Sequence, residues 1–336
     1  MFFTSIKNLV GALKPCGQVL LYHRVSPTLS DPQLLAVSPL CFTEQMAYLS
    51  RNAVPMALAD MVNAAIEGTL PRRAVAVTFD DGYADNYHYA KPILEKAGVP
   101  ATVFAVSSSV SAQTEFWWDA IERALLGHKG SLTLQLDLAG VSRTWVLSGD
   151  PGDFPDWTVL DPFDPTPRHT AYREIMPLVK PLTPSERSTV LTCIQNQTGV
   201  GTDPTDHRRP MTERELRSLV ENGLIDVGAH TVSHPQLSGL TMEEQSVQIS
   251  ASRRDLETLL SRQVTTFAYP YGTKLDYTEQ SVDLVRHAGF TLACSNFPGQ
   301  VLNRRVDAFE VPRYLVRECP LSTFRADFEA RMQGTK

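Results

Sequence analysis

Seven short runs rich in β-branched and aromatic residues are largely apolar, and each is followed by a stretch of helical periodicity. They cover residues 18–25, 74–80, 101–106, 224–229, 265–269, 291–294 and 309–316. Strands that are apolar on both faces must be covered on both faces, so the pattern predicts a parallel sheet packed with helices. Two of the intervening segments carry capping boxes, Thr212 with Glu215 and Thr241 with Glu244, in which hydroxyl and carboxylate satisfy first-turn N–H groups. Gly223 is the expected stop of the first helix, and the second should run to about residue 262.

One region interrupts this alternation. Between Phe116 and Pro210, Leu132, Leu134, Leu136 and Leu138 alternate with polar residues, and Ala139-Gly140 leads into VSRTWVL, the pattern of a half-exposed hairpin. A Pro-rich loop and helical stretches at about residues 169–180 and 184–197 follow. An insertion of this kind in a βα array tends to roof the site. The length of 336 residues suits either two domains or one large interrupted barrel.

Composition narrows the function. With 43% hydrophobic and 20% charged residues the chain can bury a large core. A formal charge of −6, with only short basic pairs, argues against nucleic-acid binding. The first residues, MFFTSIKNLVGALK, are interrupted by Lys7, Asn8 and Lys14, so no signal-peptide core is expected; no later run is long and apolar enough for a membrane span. Residues 2–13 suit an ordinary first helix or a membrane-surface one. A cytoplasmic protein is expected, and its five cysteines, widely spaced and without CxxC, read as reduced thiols.

Three strand ends carry chemistry. In Val77-Thr78-Phe79-Asp80-Asp81-Gly82-Tyr83, adjacent carboxylates end an apolar strand and enter a glycine turn, at the rim where α/β folds place their sites. Side chains alternate along a strand, so the two carboxylates cannot do the same job: Asp81 turned toward a metal leaves Asp80 as a base beside it. The same residues suit an Asx turn capping the next helix. In Gly228-Ala229-His230-Thr231-Val232-Ser233-His234-Pro235, histidines four apart can share one cation or stand as two surface side chains. Asp81, His230 and His234 together make three protein ligands, which leave an open position and so point to a catalytic metal. In Phe267-Ala268-Tyr269-Pro270-Tyr271-Gly272, the Tyr271 N–H would suit an oxyanion hole, or the segment is an ordinary Pro-Gly turn.

Taken in order, Tyr22-His23-Arg24-Val25, TFDDGY, GAHTVSHP, FAYPYG and Val311-Pro312-Arg313 resemble the polysaccharide deacetylases, carbohydrate esterase family four, which share the nodulation-factor deacetylase homology domain. The resemblance spans about residues 20–316. It implies an α/β fold, a distorted seven-stranded (β/α) barrel, and metal-dependent hydrolysis of an N-acetyl or O-acetyl group on a sugar. By position, Asp80 matches the family's base, Asp81, His230 and His234 its metal ligands, and the Tyr271 N–H its oxyanion donor. Zinc is the cation most often found in the family.

Two departures stand out. Many relatives take the leaving-group proton from a histidine in a late Leu-x-His motif, but no histidine follows His287. His23, at the end of the first run, is expected to serve instead, unless it is a hydrogen-bonded core residue. The arginine that usually precedes the proline of the third motif is replaced by Tyr269, and Arg313 could reach Asp80 from the last strand or form a surface salt bridge. Trp117, Trp118 and Tyr83 are the candidate sugar-stacking aromatics, with core packing as the other role. His88, His128, His169 and His207 are expected to face solvent.

The expectation is therefore one domain over residues 1–336, interrupted at about 116–210, because Asp80 and Asp81 precede the insertion and both histidines follow it. Its reading is a metal-dependent N-deacetylase of a glycan or glycan precursor, touching a membrane only through its substrate. A deformylase or other C–N hydrolase, and a catalytically silent carbohydrate-binding relative, are the alternatives.

Overall fold

The computed structural model describes residues 16–27, 30–127, 130–138, 140–201 and 208–334. The helix expected over residues 2–13, together with His128, Ala139 and His207, lies outside them. The strands are β1 (Cys16–Tyr22), β2 (Arg24–Val25), β3 (Ala36–Val37), β4 (Val54–Pro55), β5 (Ala74–Phe79), β6 (Ala101–Ala105), β7 (Leu132–Leu138), β8 (Val141–Leu147), β9 (Ile225–Ala229), β10 (Thr266–Ala268), β11 (Leu292–Cys294), β12 (Val301–Leu302) and β13 (Tyr314–Leu315). The main sheet runs β11-β10-β9-β6-β5-β1-β12, with β4 beside β5 and β13 beside β1. Its pairs are parallel except β1 with β12.

The sheet is a curled α/β barrel, and its seventh strand is the reason it is distorted. Residues 309–316, expected as one strand, make only an isolated bridge from Val311 to Cys294 before Tyr314 and Leu315 pair with Leu20 and Leu21. Pro312 cannot donate to a ladder, which limits regular pairing there. The segment nevertheless spans the gap between β11 and β1, through Ser295 N–H to Val311 O at 3.0 Å and Val316 N–H to Leu21 O at 2.9 Å. The first run is likewise broken at His23, where β1 ends and β2 begins.

β5 and β6 are buried at every residue, as runs apolar on both faces require. Helices Glu213–Leu219 and Met242–Leu260 start at the predicted capping boxes of Thr212 and Thr241. The first stops at Leu219; Gly223, at φ +73°, serves the turn that follows it.

Between β6 and β9, β7 and β8 form the expected hairpin, with Leu134, Leu136 and Leu138 turned inward and most of β8 exposed. Helices Trp117–Leu126, Pro167–Val179 and Pro184–Thr198 pack with it around a separate apolar cluster. That cluster includes Tyr83 and borders Leu35 and Tyr271, so its lower face lies against the barrel rim. His169, expected at the surface, is buried here, its Nδ1 2.8 Å from Thr166 Oγ1 and its ring against Trp157. An imidazole so packed is satisfied by Thr166 and needs no solvent. His88 is half exposed and pairs with Glu215.

Candidate active site

The C-terminal ends of β1, β5, β9, β10 and β11 converge on one rim, and each leads into a residue of the site. His23 follows β1, Asp80 and Asp81 follow β5, His230 follows β9, Tyr271 lies three residues beyond β10, and Asn296 lies two beyond β11. Together they line a cavity of about 310 Å³. Its other walls come from Trp117, Trp118, Met176, Pro177 and Lys180 of the 116–210 segment and from Gln33 and Leu35.

The turns are tightly wound. Asp81, Gly82, Thr231, His234, Tyr271 and Gly272 all have positive φ, a conformation that costs non-glycine residues free energy and concentrates at functional sites. Gly82 and Gly272 are also crowded by their neighbours, Gly272 the more severely. A Cβ at Gly82 would sit 3.2 Å from the Ala105 Cβ, and one at Gly272 would sit 2.8 Å from the Asn296 backbone nitrogen.

The adjacent carboxylates have opposite surroundings. Both terminal nitrogens of Arg313 donate to Asp80, at 2.7 and 2.8 Å, while Arg313 Nε donates to Ser295 O at 2.8 Å. Burial would raise the Asp80 pKa, but the guanidinium outweighs it and the carboxyl lies below its ordinary value. Asp81 has no such partner: burial, and then the charge of Asp80, push it well above the carboxylate range.

Facing Asp81 Oδ1 are His234 Nε2 at 3.4 Å and His230 Nε2 at 3.7 Å. His230 Nδ1 lies 2.8 Å from Ala268 O, which makes that nitrogen the donor and leaves Nε2 with its lone pair toward Asp81. Burial lowers both histidines, His234 further because His230 is beside it, so both imidazoles are neutral. The three side chains are buried and their ligand atoms lie within 4.8 Å of one another. Donors on a tetrahedral ion with bonds of about 2.0–2.1 Å are about 3.3–3.4 Å apart, close to the spacing of Asp81 and His234. A buried carboxylate without a counter-charge, beside two neutral imidazoles, is the donor chemistry a divalent cation completes.

The remaining predicted residues separate into two groups. His23 borders the cavity with its Nδ1 buried and unpartnered among the described residues, and burial lowers its pKa to about 4 against the opposing pull of Asp80. Its loop is locked from behind by Arg24 Nε to Asp85 Oδ2 at 2.9 Å and Asn86 Nδ2 to His23 O at 2.9 Å. Tyr271 N–H makes no hydrogen bond among the described residues, while Trp117 Nε1 reaches the Tyr271 hydroxyl at 3.2 Å. Trp117 and Trp118 are cavity walls, and the Trp118 ring packs 4.9 Å from His234.

Tyr83 is different. It is fully buried outside the cavity, donating to Asp119 Oδ2 at 2.6 Å and accepting from Trp118 Nε1 at 2.7 Å. A ring with no exposed face cannot stack on a sugar, so its place is behind Trp118. Tyr269, standing where relatives carry an arginine, is buried against Tyr277 with its hydroxyl on Phe309 O.

Sequence reading overlooked Lys180, Arg187, Asn296 and Asp276. Lys180 Nζ is 2.7 Å from Asp276 Oδ1, and Arg187 NH1 donates to His234 O at 3.2 Å. None sits in a recognisable motif; the one available signal was that the insertion was expected to roof the site.

A family model described as polysaccharide deacetylase matches residues 67–128 and 190–293. These stretches hold Asp80, Asp81, His230, His234 and Tyr271, and the gap between them covers much of the inserted segment. The chain belongs to the polysaccharide deacetylase family. It is 19% identical over 227 residues to YxkH of Bacillus subtilis (strain 168), covering 68% of this chain and 46% of that protein. Over 108 residues it is 32% identical to the poly-beta-1,6-N-acetyl-D-glucosamine N-deacetylase of Escherichia coli (strain K12), covering 30% of this chain and 16% of that one. The chain thus spans less than half the length of these curated relatives. In fold it is similar to the structure of IcaB from Ammonifex degensii, with a TM-score of 0.57 at 21% identity, covering 95% of this chain and 97% of that one. Among the described residues no helix is long and apolar enough to cross a membrane.

Proposed function

We propose that this protein is a metal-dependent hydrolase that removes an N-acetyl group from a sugar in a glycan or glycan precursor. The observation that carries the reading is the division of labour between adjacent carboxylates: Asp80 is held by Arg313 while Asp81 faces two neutral imidazoles.

Asp81, His230 and His234 would hold the cation, and zinc suits their donor set. A divalent ion there, when bound, polarises the amide carbonyl and acidifies water. Asp80 takes a proton from the attacking water, and Arg313 keeps that carboxylate ionised and aimed. The Tyr271 N–H donates to the carbonyl oxygen as negative charge develops on it. The C–N bond then breaks as the sugar nitrogen takes up a proton, and acetate leaves. His23 is assigned that delivery. It rests neutral, so the proton it delivers is one released by the water being consumed.

Trp117 and Trp118 form an apolar wall for a sugar face, with Tyr83 supporting Trp118 from behind. Residues 116–210 act as an insertion in one interrupted catalytic domain, and substrate choice resides in that roof.

Incubation with N-acetylated and N-formylated sugar precursors, reading released acetate and formate, tests the proposal. Acetate release that requires a divalent ion supports it. Formate alone would make the protein a deformylase, and glycan binding without metal uptake or product would make it a silent relative.

A further inference from the structure

Two cations of the inserted segment reach out of the roof and grip the two turns that matter most below it. Lys180, at the end of helix Pro167–Val179, places Nζ 2.7 Å from Asp276 Oδ1 and 4.3 Å from the centroid of the Tyr271 ring. Asp276 is buried and is the organising residue of that turn, its Oδ2 accepting from Thr273 N–H at 3.0 Å and from the Thr273 hydroxyl. Lys180 therefore supplies the counter-charge of the carboxylate that folds the 270–276 turn, and lies on the ring of the residue whose N–H borders the cavity.

Arg187, in helix Pro184–Thr198, is buried and donates NH1 to His234 O at 3.2 Å. The same guanidinium lies 5.2 Å from the Trp117 ring, whose Nε1 reaches the Tyr271 hydroxyl. Its NH2 donates to Lys180 O and Leu182 O at 3.2 and 3.1 Å, which joins the two grips into one unit. The His234 and Tyr271 turns both hold positive φ at the functional residue, +53° and +59°, so each relaxes unless its surroundings over-determine it.

Resting on the function proposed above, we infer that Lys180 and Arg187 are positioning residues for the reaction: the roof holds the His234 and Tyr271 turns in register, in addition to covering the substrate. Neither needs to touch the reacting atoms. Lys180 is already neutralised by Asp276, so it is not a spare cation for an anionic ligand.

The test uses the full chain with Lys180→Met, Lys180→Arg, Arg187→Met and Arg187→Lys, and the exposed roof variant Arg143→Gln as control. Acetate release from an N-acetylglucosamine oligomer is split into kcat and KM, and amide hydrogen exchange is followed in parallel. The methionine variants should lower kcat about tenfold or more with KM within about twofold, the direction expected when a donor to developing charge is displaced. Lys180→Arg and Arg187→Lys, which keep the charge, should recover much of kcat. Exchange should rise at residues 271–276 in Lys180→Met and at 231–236 in Arg187→Met, and stay at the wild-type level in Arg143→Gln. An effect on KM alone would make these residues substrate contacts and overturn the inference, as would unchanged exchange at both turns. Failure of the wild type to release acetate would count against the proposed function, while the exchange measurements would still decide the positioning roles.

Discussion

Arg313 and Asp80, 233 residues apart, meet in a two-pronged ion pair at 2.7 and 2.8 Å across the junction where the barrel closes. Both side chains are almost wholly buried. A bidentate fork fixes the plane of the carboxylate as well as its charge. The interrupted last strand delivers Arg313 to that place, between its bridge to β11 and the start of its pairing with β1.

Arg313→Met should strand a buried carboxylate and cost about 3–5 kcal/mol of unfolding free energy. It should also lower kcat by roughly 10²-fold or more, because the base loses its aim. Denaturant titration and steady-state rates on the same preparation measure both. A loss of stability below about 1 kcal/mol would show that the pair does not hold the barrel junction.

Chelation should abolish acetate release, and adding back a divalent ion should restore it. Because Asp81, His230 and His234 come together only in the folded chain, the ion should also raise the unfolding temperature. The stabilisation should be about 2.7 kcal/mol at a hundredfold excess over Kd. An Asp81→Asn variant should lose most of that response, and calorimetry or thermal scanning against metal concentration reads it.

His23→Gln keeps a side chain that fills the same corner but cannot deliver a proton, so kcat at saturating substrate should fall by roughly 10²–10⁴. Near-normal turnover would return His23 to the role of a buried core residue.

Glu215 offers a check on the barrel's exterior. It accepts from both terminal nitrogens of Arg209 at 2.7 Å and from Thr212 N–H at 2.8 Å. Burial acts to raise its pKa, but these bonds outweigh it and bring the group to about 2 from an ordinary 4.5. A depressed carboxylate stabilises the fold above its unfolded pKa, and that contribution is lost as pH falls through 4.5 toward 2. Glu215→Gln should therefore cost about 1 kcal/mol at neutral pH, with the difference from wild type vanishing in acid. Urea midpoints at a series of pH values would show it; a gap that widened in acid would reverse the assignment.

Much of this was legible along the chain, and the failures share a cause. The runs at β5 and β6 are apolar because they are buried on both faces, and that burial is written residue by residue. His169 looks like any surface histidine in a Pro-rich stretch; its burial depends on Trp157 and Thr166, which only the folded insertion brings around it. Tyr83 lies two residues from Asp81, yet its ring is turned into the apolar core of the 116–210 segment. Alternation along the chain says which side a residue faces, not what covers that side.

Local rules of periodicity, capping and turn chemistry act over a few residues, and they were enough to place most of the main strands, the capped helices and the hairpin, and to bring Asp81, His230 and His234 forward as a candidate donor set. Closure of the ring and docking of the roof were decided only by the tertiary structure. Those steps set Arg313 on Asp80, Lys180 on Asp276 and Arg187 on His234, pairs whose members come from elements that meet only when the strand ends converge on one rim. The physical reason is range: burial and backbone propensity are properties of a short segment, whereas an ion pair requires two distant segments to arrive at the same point with matching geometry.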